Sequence, residues 1–134
     1  GGFLNLVACA KTIIFTGAFM ARSKIEIQDG KVRLVEPGIA KYVERVDEIT
    51  FCAKAALEAG KKVFYVTPIA AFRLTEQGME LFQVAPGIDI DKDILANSRA
   101  KIHLPEDGKV DVLDASIVTG KDFKLAWTKR DNSL

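Results

Sequence analysis

The sequence predicts an α/β fold in which a parallel or mixed sheet carries helices and antiparallel hairpins. Three observations support this. Thr12 to Thr16 and Lys62 to Thr67 are short apolar runs rich in β-branched and aromatic residues, the pattern of strands buried on both faces. Good helix formers fill Ala53 to Ala59 between them, so strand, helix and strand arrive in the order of an α/β unit. Apolar and polar residues also alternate on both sides of Asp29-Gly30, a pair that tolerates positive φ and signals a hairpin.

Taken in order, Gly1-Gly2-Phe3 leads straight into apolar sequence with no initiator Met and no polar tail, as expected where further polypeptide precedes it. Adjacent glycines let backbone N–H groups approach a ligand closely and stabilise an oxyanion without a side chain. Thr12 to Thr16, closed by Gly17, and Val63 to Val66 are expected to be central strands. Lys24 to Gln28 and Lys31 to Val35 form the hairpin arms. After the break at Glu36-Pro37-Gly38, Tyr42 to Val46 and Ile49 to Phe51 are expected as further strand. Gly60 ends the helix by turning left-handed. Ala71 to Leu74 and Met79 to Val84 flank Thr75-Glu76-Gln77-Gly78 as a looser hairpin. Ala85-Pro86-Gly87 breaks the chain again, and Asp89 or Asp91 caps a short helix carrying Ile94 and Leu95. Beyond Pro105 the sequence shows only weak strand patterns, at Val110 to Leu113 and Ile117 to Val118.

A chain of 134 residues with 49% hydrophobic content has material for one packed core. The net charge is +1, with Lys and Arg scattered among Asp and Glu, which argues against a nucleic-acid partner. No apolar run reaches the ~20 residues that cross a bilayer, so a soluble, intracellular protein is expected. Cys9 and Cys52 sit among small or apolar neighbours, as buried free thiols do.

No metal is expected. There is no Cys-x-x-Cys, and His103 stands alone. Asp89, Asp91 and Asp93 begin like a calcium loop, but Ile94 occupies the turn-glycine place and Ala100 that of the closing glutamate. Phosphate-cradling glycine motifs do not occur. His103 lies between Ile102 and Leu104 and reads as a structural histidine. The glutamates fall on hairpins, helix faces and turns, which are solvated places, and none is nominated as a nucleophile.

Read together, several segments carry a family resemblance. Gly1-Gly2-Phe3-Leu4-Asn5-Leu6, Ala10-Lys11-Thr12-Ile13-Ile14-Phe15-Thr16-Gly17, the Lys24 to Val35 hairpin, Glu48-Ile49-Thr50-Phe51, Tyr65-Val66-Thr67 with Ala71-Phe72, and Ala85 to Leu95 follow one another in order. From Gly1 to about Leu95 the chain resembles the end of the acetate, propionate and 3-ketoacid coenzyme A transferases. The resemblance implies the C-terminal part of a CoA-transferase (sugar-phosphate isomerase-like) domain: residues 1–104 as the C-terminal part of the second domain, with the first half of its sheet missing and an apolar edge left open, and 105–134 as an extension with no assigned structure.

In that family a glutamate carboxylate attacks an acyl-CoA, passes through a mixed anhydride to a glutamyl-CoA thioester, and hands CoA to a second acid. The resemblance implies that Gly1, Gly2 and Phe3 are the remaining part of the Gly-x-Gly-Gly-Phe oxyanion and CoA-binding loop. The nucleophile, in a Glu-x-Gly setting upstream, is expected outside this sequence, so the chain itself has no catalytic residue. Coenzyme A enters as substrate, with no prosthetic group.

Two departures stand out. Thr67-Pro68-Ile69 replaces the family's Thr-Glu-Arg or Thr-Glu-Lys, and Arg22 stands where small residues are usual, which leaves Lys24 as a possible contact to the CoA phosphates against the plainer reading of a hairpin lysine in water. The implied partners are acyl-CoA and carboxylate substrates and the remainder of the enzyme or a partner subunit, in a cytoplasmic homo-oligomer of acyl-CoA, fatty acid and ketone-body metabolism. The rival readings are a non-catalytic remnant acting through protein contacts and another sugar-phosphate isomerase-like domain.

Overall fold

A computed structural model describes residues 2–43 and 52–125. Helix α1 (Gly2–Cys9) leads into β1 (Thr12–Thr16), followed by β2 (Met20–Ala21), β3 (Lys24–Gln28), β4 (Lys31–Glu36) and β5 (Ile39–Ala40). Helix α2 (Ala53–Glu58) precedes β6 (Lys62–Val66), β7 (Ala70–Thr75) and β8 (Gly78–Val84). A π-helical turn (Ile90–Ile94) runs into a 3-10 turn (Leu95–Asn97), and β9 (Ile102–His103), β10 (Asp111–Val112) and α3 (Ala115–Thr119) follow.

The main sheet is mixed, in the order β1-β6-β7-β8-β10, with β9 also on β8. β1 and β6 pair in parallel from Thr12↔Lys62 to Thr16↔Val66, whereas β6, β7 and β8 are successively antiparallel. The short strands β9 and β10 lie parallel to β8, at Met79-Glu80 and at Gln83-Val84. The predicted strand, helix, strand unit is therefore present as β1, α2 and β6.

Local chemistry explains most of the elements. Asp29 and Gly30 adopt φ of 52° and 72°, the two positive values that a tight turn between right-twisted strands requires, and β3 and β4 pair across them. Asp89 accepts the Lys92 N–H at 2.9 Å and opens the π-helical turn, as its capping role predicts. Gly38 has φ of 75°, and a side chain there would put Cβ 2.7 Å from Ser23 N, so the break after Glu36 needs glycine to bring β5 against β2.

Three expectations are corrected, and a fourth is met in part. β1 was read as a doubly buried strand beside an apolar edge left by the missing half of the sheet; it lies at the edge of the described sheet with Ile14 59% exposed, so the apolar edge is present and one face has no cover among the described residues. Ile117 and Val118 belong to a helix because Asp114 caps Ser116 N at 2.8 Å and Gly120 closes the turn at φ 70°. Cys9 and Cys52 are exposed, since Cys9 ends a helix with no buried residue and Cys52 lies just ahead of α2. Tyr42 and Val43 are not in a strand, and residues 44–51, where the rest of that expected strand falls, lie outside the described residues. The apolar stretch that forms α1 and the strand β9 had no reading in the sequence.

Two cores result. The larger joins Phe19, Met20, Val32, Ile69, Ala70, Phe72, Leu81, Val84, Ala85 and Ile94. The β3–β4 hairpin is held onto it by Val32 N–H donating to Pro86 O at 2.7 Å. The smaller joins Ile13, Ala56 and Val63, with Val7, Phe15 and Tyr65 against it. Residues after 104 add β10 to β8 and pack α3 against β4. Among the described residues no helix is long and apolar enough to cross a membrane.

Candidate functional site

Parallel pairing makes β1 and β6 finish together, at Thr16 and Val66. Open α/β sheets take ligands in the crevice beyond such carboxyl ends. Gly17 extends the pairing by donating its N–H to Val66 O at 3.2 Å, after which the chain turns away. A cleft of about 230 Å³ opens there, lined by Phe15, Thr16, Gly17, Ala18, Lys41 and Tyr42.

The start of α1 reaches the same end of β1. The Phe3 and Phe15 rings lie 6.3 Å apart, and Gly2 has open space where a side chain would be. The first N–H groups of a helix have no intrahelical acceptor and carry a partial positive charge, and no acidic residue of the first turn offsets them in α1. The other end of α1 is fastened by Lys61, whose Nζ donates to Ala8 O and Ala10 O at 2.7 Å each.

Behind the cleft stands a chain of aromatic rings. Phe15 stacks on Tyr65 at 5.3 Å, Tyr42 meets Tyr65 edge-on at 6.4 Å, and Phe19 links Tyr42 to Phe72. Burial pushes both phenols above their usual pKa, and Tyr65 raises that of Tyr42 further. Both rings are neutral at ordinary pH, so they bring no negative charge to a bound anion.

The residues singled out from the sequence fall in different places. Gly1 lies outside the described residues. Gly2 opens α1 and Phe3 is 47% exposed beside Phe15. Lys24 pairs across its hairpin with Glu36 at 3.8 Å, with both side chains mostly exposed, and no hydrogen bond or ion pair joins it to α1 among the described residues. Arg22 sits in the left-handed region at φ 57°. In Thr67-Pro68-Ile69 the Thr67 hydroxyl is bonded to the backbone of Ala70, and Ile69 is buried in the larger core. This turn is part of the packing.

One acidic residue departs from the solvated reading. Glu80 is 8% exposed because the register places it opposite Arg73, whose guanidinium grips it through Nε and an Nη while lying 5.7 Å from the centre of the Phe82 ring. His103 Nε2 is 2.9 Å from the Thr75 hydroxyl, and that hydroxyl donates to Gly78 O. These groups are engaged with one another and brace β9 against the β7–β8 hairpin. Lys41 and Tyr42 were missed as site residues. The only available signal was Gly17-Ala18 directly after an α/β strand, since nothing in the sequence around Lys41 places it opposite Gly17.

Comparison with known proteins bears on this end of the sheet. No protein-family model matches the chain. The acetate CoA-transferase YdiF of Escherichia coli K12 is 47% identical over 97 residues, which cover 71% of this chain and 18% of that protein. A caffeate CoA-transferase of Acetobacterium woodii is 38% identical over 96 residues, again 71% of this chain and 18% of the relative. The crystal structure of the acyl-CoA transferase YdiF apoenzyme from Escherichia coli O157:H7 matches with a TM-score of 0.81 at 38% identity, over 88% of this chain and 23% of that one. The thioester complex of YdiF with CoA matches equally well. The chain thus spans about a fifth of the length of the curated relatives it matches. Across the residues that match, in sequence and in fold, the chain is a relative of these CoA-transferases.

Proposed function

We propose that this chain serves the transfer of coenzyme A between short-chain carboxylic acids through a glutamyl-CoA thioester, and that it supplies the oxyanion side of the reaction. The glutamate belongs to polypeptide outside this sequence. Its carboxylate attacks the acyl-CoA carbonyl, CoA thiolate leaves and then attacks the resulting anhydride, and a glutamyl-CoA thioester forms as the first acid departs. Gly1, Gly2 and Phe3 donate backbone N–H groups to the oxyanion that develops at each step. The observation that carries this reading is the likeness to an acyl-CoA transferase whose solved complex is a thioester with CoA. The place of α1, with its open N-terminal turn at the carboxyl end of β1, supports it.

The exposed apolar residues of α1 and the place of β1 at the edge of the described sheet favour assembly with further CoA-transferase polypeptide. A helix apolar on most of its surface is ordinarily covered, yet Phe3, Leu4 and Leu6 are 47%, 50% and 73% exposed. Residues 1–104 then act as the end of the second transferase domain, with 105–134 as an extension, in a cytoplasmic homo-oligomer.

The test combines this chain with a CoA-transferase polypeptide that carries the upstream Glu-x-Gly loop and stops ahead of the Gly-Gly-Phe segment. Mixing the two is expected to restore exchange between acetyl-CoA and propionate, while each alone is inactive. A mixed complex that forms and stays inactive, or exchange by this chain alone, would overturn the proposal.

A further inference from the structure

We propose that Lys41, together with Phe15 to Ala18 and Tyr42, forms a carboxylate-binding subsite for a short-chain acid. That the acid is the acceptor of CoA rests on the function proposed above, but the binding of its carboxylate does not.

Lys41 is exposed and has no ion pair or hydrogen bond among the described residues. Its ammonium lies over Gly17, where an added Cβ would be 3.9 Å from Nζ. The side chain therefore leans across the cleft instead of pointing away into water. Beside it the walls are apolar, with Phe15 and Tyr42 half-buried and Ala18 at the rim. A single ammonium next to aromatic carbon suits an anion with a short hydrocarbon tail: the lysine acts as a point charge with rotatable donors, and the tail replaces water against the rings. Inorganic phosphate would gain the charge and lose solvation against those walls.

Size points the same way. At about 230 Å³ the cleft is smaller than the ~300–1,000 Å³ typical of sites for drug-sized ligands, so it holds a small acid or one end of a larger one. The phenols of Tyr42 and Tyr65 remain neutral and do not repel it.

The test is backbone amide NMR of the 134-residue chain, titrated separately with butyrate, with the neutral isostere butyramide and with inorganic phosphate. Butyrate is expected to shift the amides of Gly17, Ala18 and Tyr42 saturably, and butyramide is not. Lys41→Gln should weaken butyrate by about tenfold, the loss that goes with one charge-assisted hydrogen bond. Lys41→Arg should retain most of the binding, and Lys54→Gln on α2 should change nothing. Lys41 lies on the surface, so the amide spectrum of each variant also reports that it is folded. The proposal is overturned if butyrate leaves these amides unmoved, if Lys41→Gln binds as the parent does, or if phosphate or butyramide moves them as strongly as butyrate. The outcomes separate from those of the transferase test. Lys41-dependent butyrate binding with no exchange in the assembled enzyme removes the catalytic reading alone, whereas exchange without such binding removes this subsite alone.

Discussion

The two ends of the sheet are built from similarly apolar strands and differ in what covers them. Around β7 and β8 the chain lays the β3–β4 hairpin, the Phe19-Met20 corner and the π-helical turn over the sheet, and Phe72, Leu81 and Ile94 are fully buried. Around β1, among the described residues, only α2 and part of α1 close over Ile13 and Val63, while Ile14, Leu4 and Leu6 stay open. Hydrophobicity along a strand thus states how much burial a segment needs, and the layers around it decide how much it receives. The candidate cleft lies at the less covered end, where backbone and side chains are free to meet a ligand or more protein.

This contrast can be broken most directly in the larger core. Phe72→Ala should cost about 3–5 kcal/mol in a denaturant titration, and Ile13→Ala clearly less, because its surroundings can relax toward solvent. Equal losses would mean that the two ends are packed alike. Gly38→Ala should cost about 1–3 kcal/mol, since it forces a left-handed residue against the backbone of Ala21 and Ser23. Thermal melting of this variant would show whether the junction between β2 and β5 stiffens the well-covered end.

A smaller effect is expected at high pH. The folded-state pKa values of Tyr42 and Tyr65 are raised by burial, so the stability tied to their neutral forms is intact below the unfolded value of about 10. It is lost as pH rises from there through the folded values. The chain contains no other tyrosine, and ultraviolet titration should therefore place both midpoints above those of the denatured chain. Normal midpoints would open the aromatic wall to water and erase the difference between it and the cleft in front. The smallest change belongs to Leu6→Gln on α1: because Leu6 is 73% exposed, stability of this chain should move by no more than about 0.5 kcal/mol. A larger loss, read by denaturant melting, would show that α1 is covered after all.

The sequence was most legible where a local signal and the tertiary fold agree. Asp29-Gly30, Gly60 and Asp89 each require a particular backbone conformation, and the elements around them appear where expected. Ile117 and Val118 misled because two β-branched residues read as strand, while the Asp114 cap and Gly120 decide the matter in favour of helix. β1 was legible as a strand at an apolar edge, and the described residues leave its Ile14 open. Gly2 and Phe3 entered as site residues by family likeness alone. Lys41 depends on a juxtaposition across the β2–β5 turn that no spacing encodes, and the burial of Glu80 depends on a cross-strand register with Arg73.

Lys61 grips α1 at its carbonyl end, and among the described residues no side-chain hydrogen bond holds its opposite tip. A rod clamped at one end has its pivot fixed, while the direction of its tip is set by whatever is laid along it. The amides that this tip presents can therefore be aimed by docking, and under the proposed function the alignment of oxyanion donors would come with assembly. Neutralising Lys61 would release the clamp and disturb that aim from the far side of the helix, without touching any group that meets the ligand.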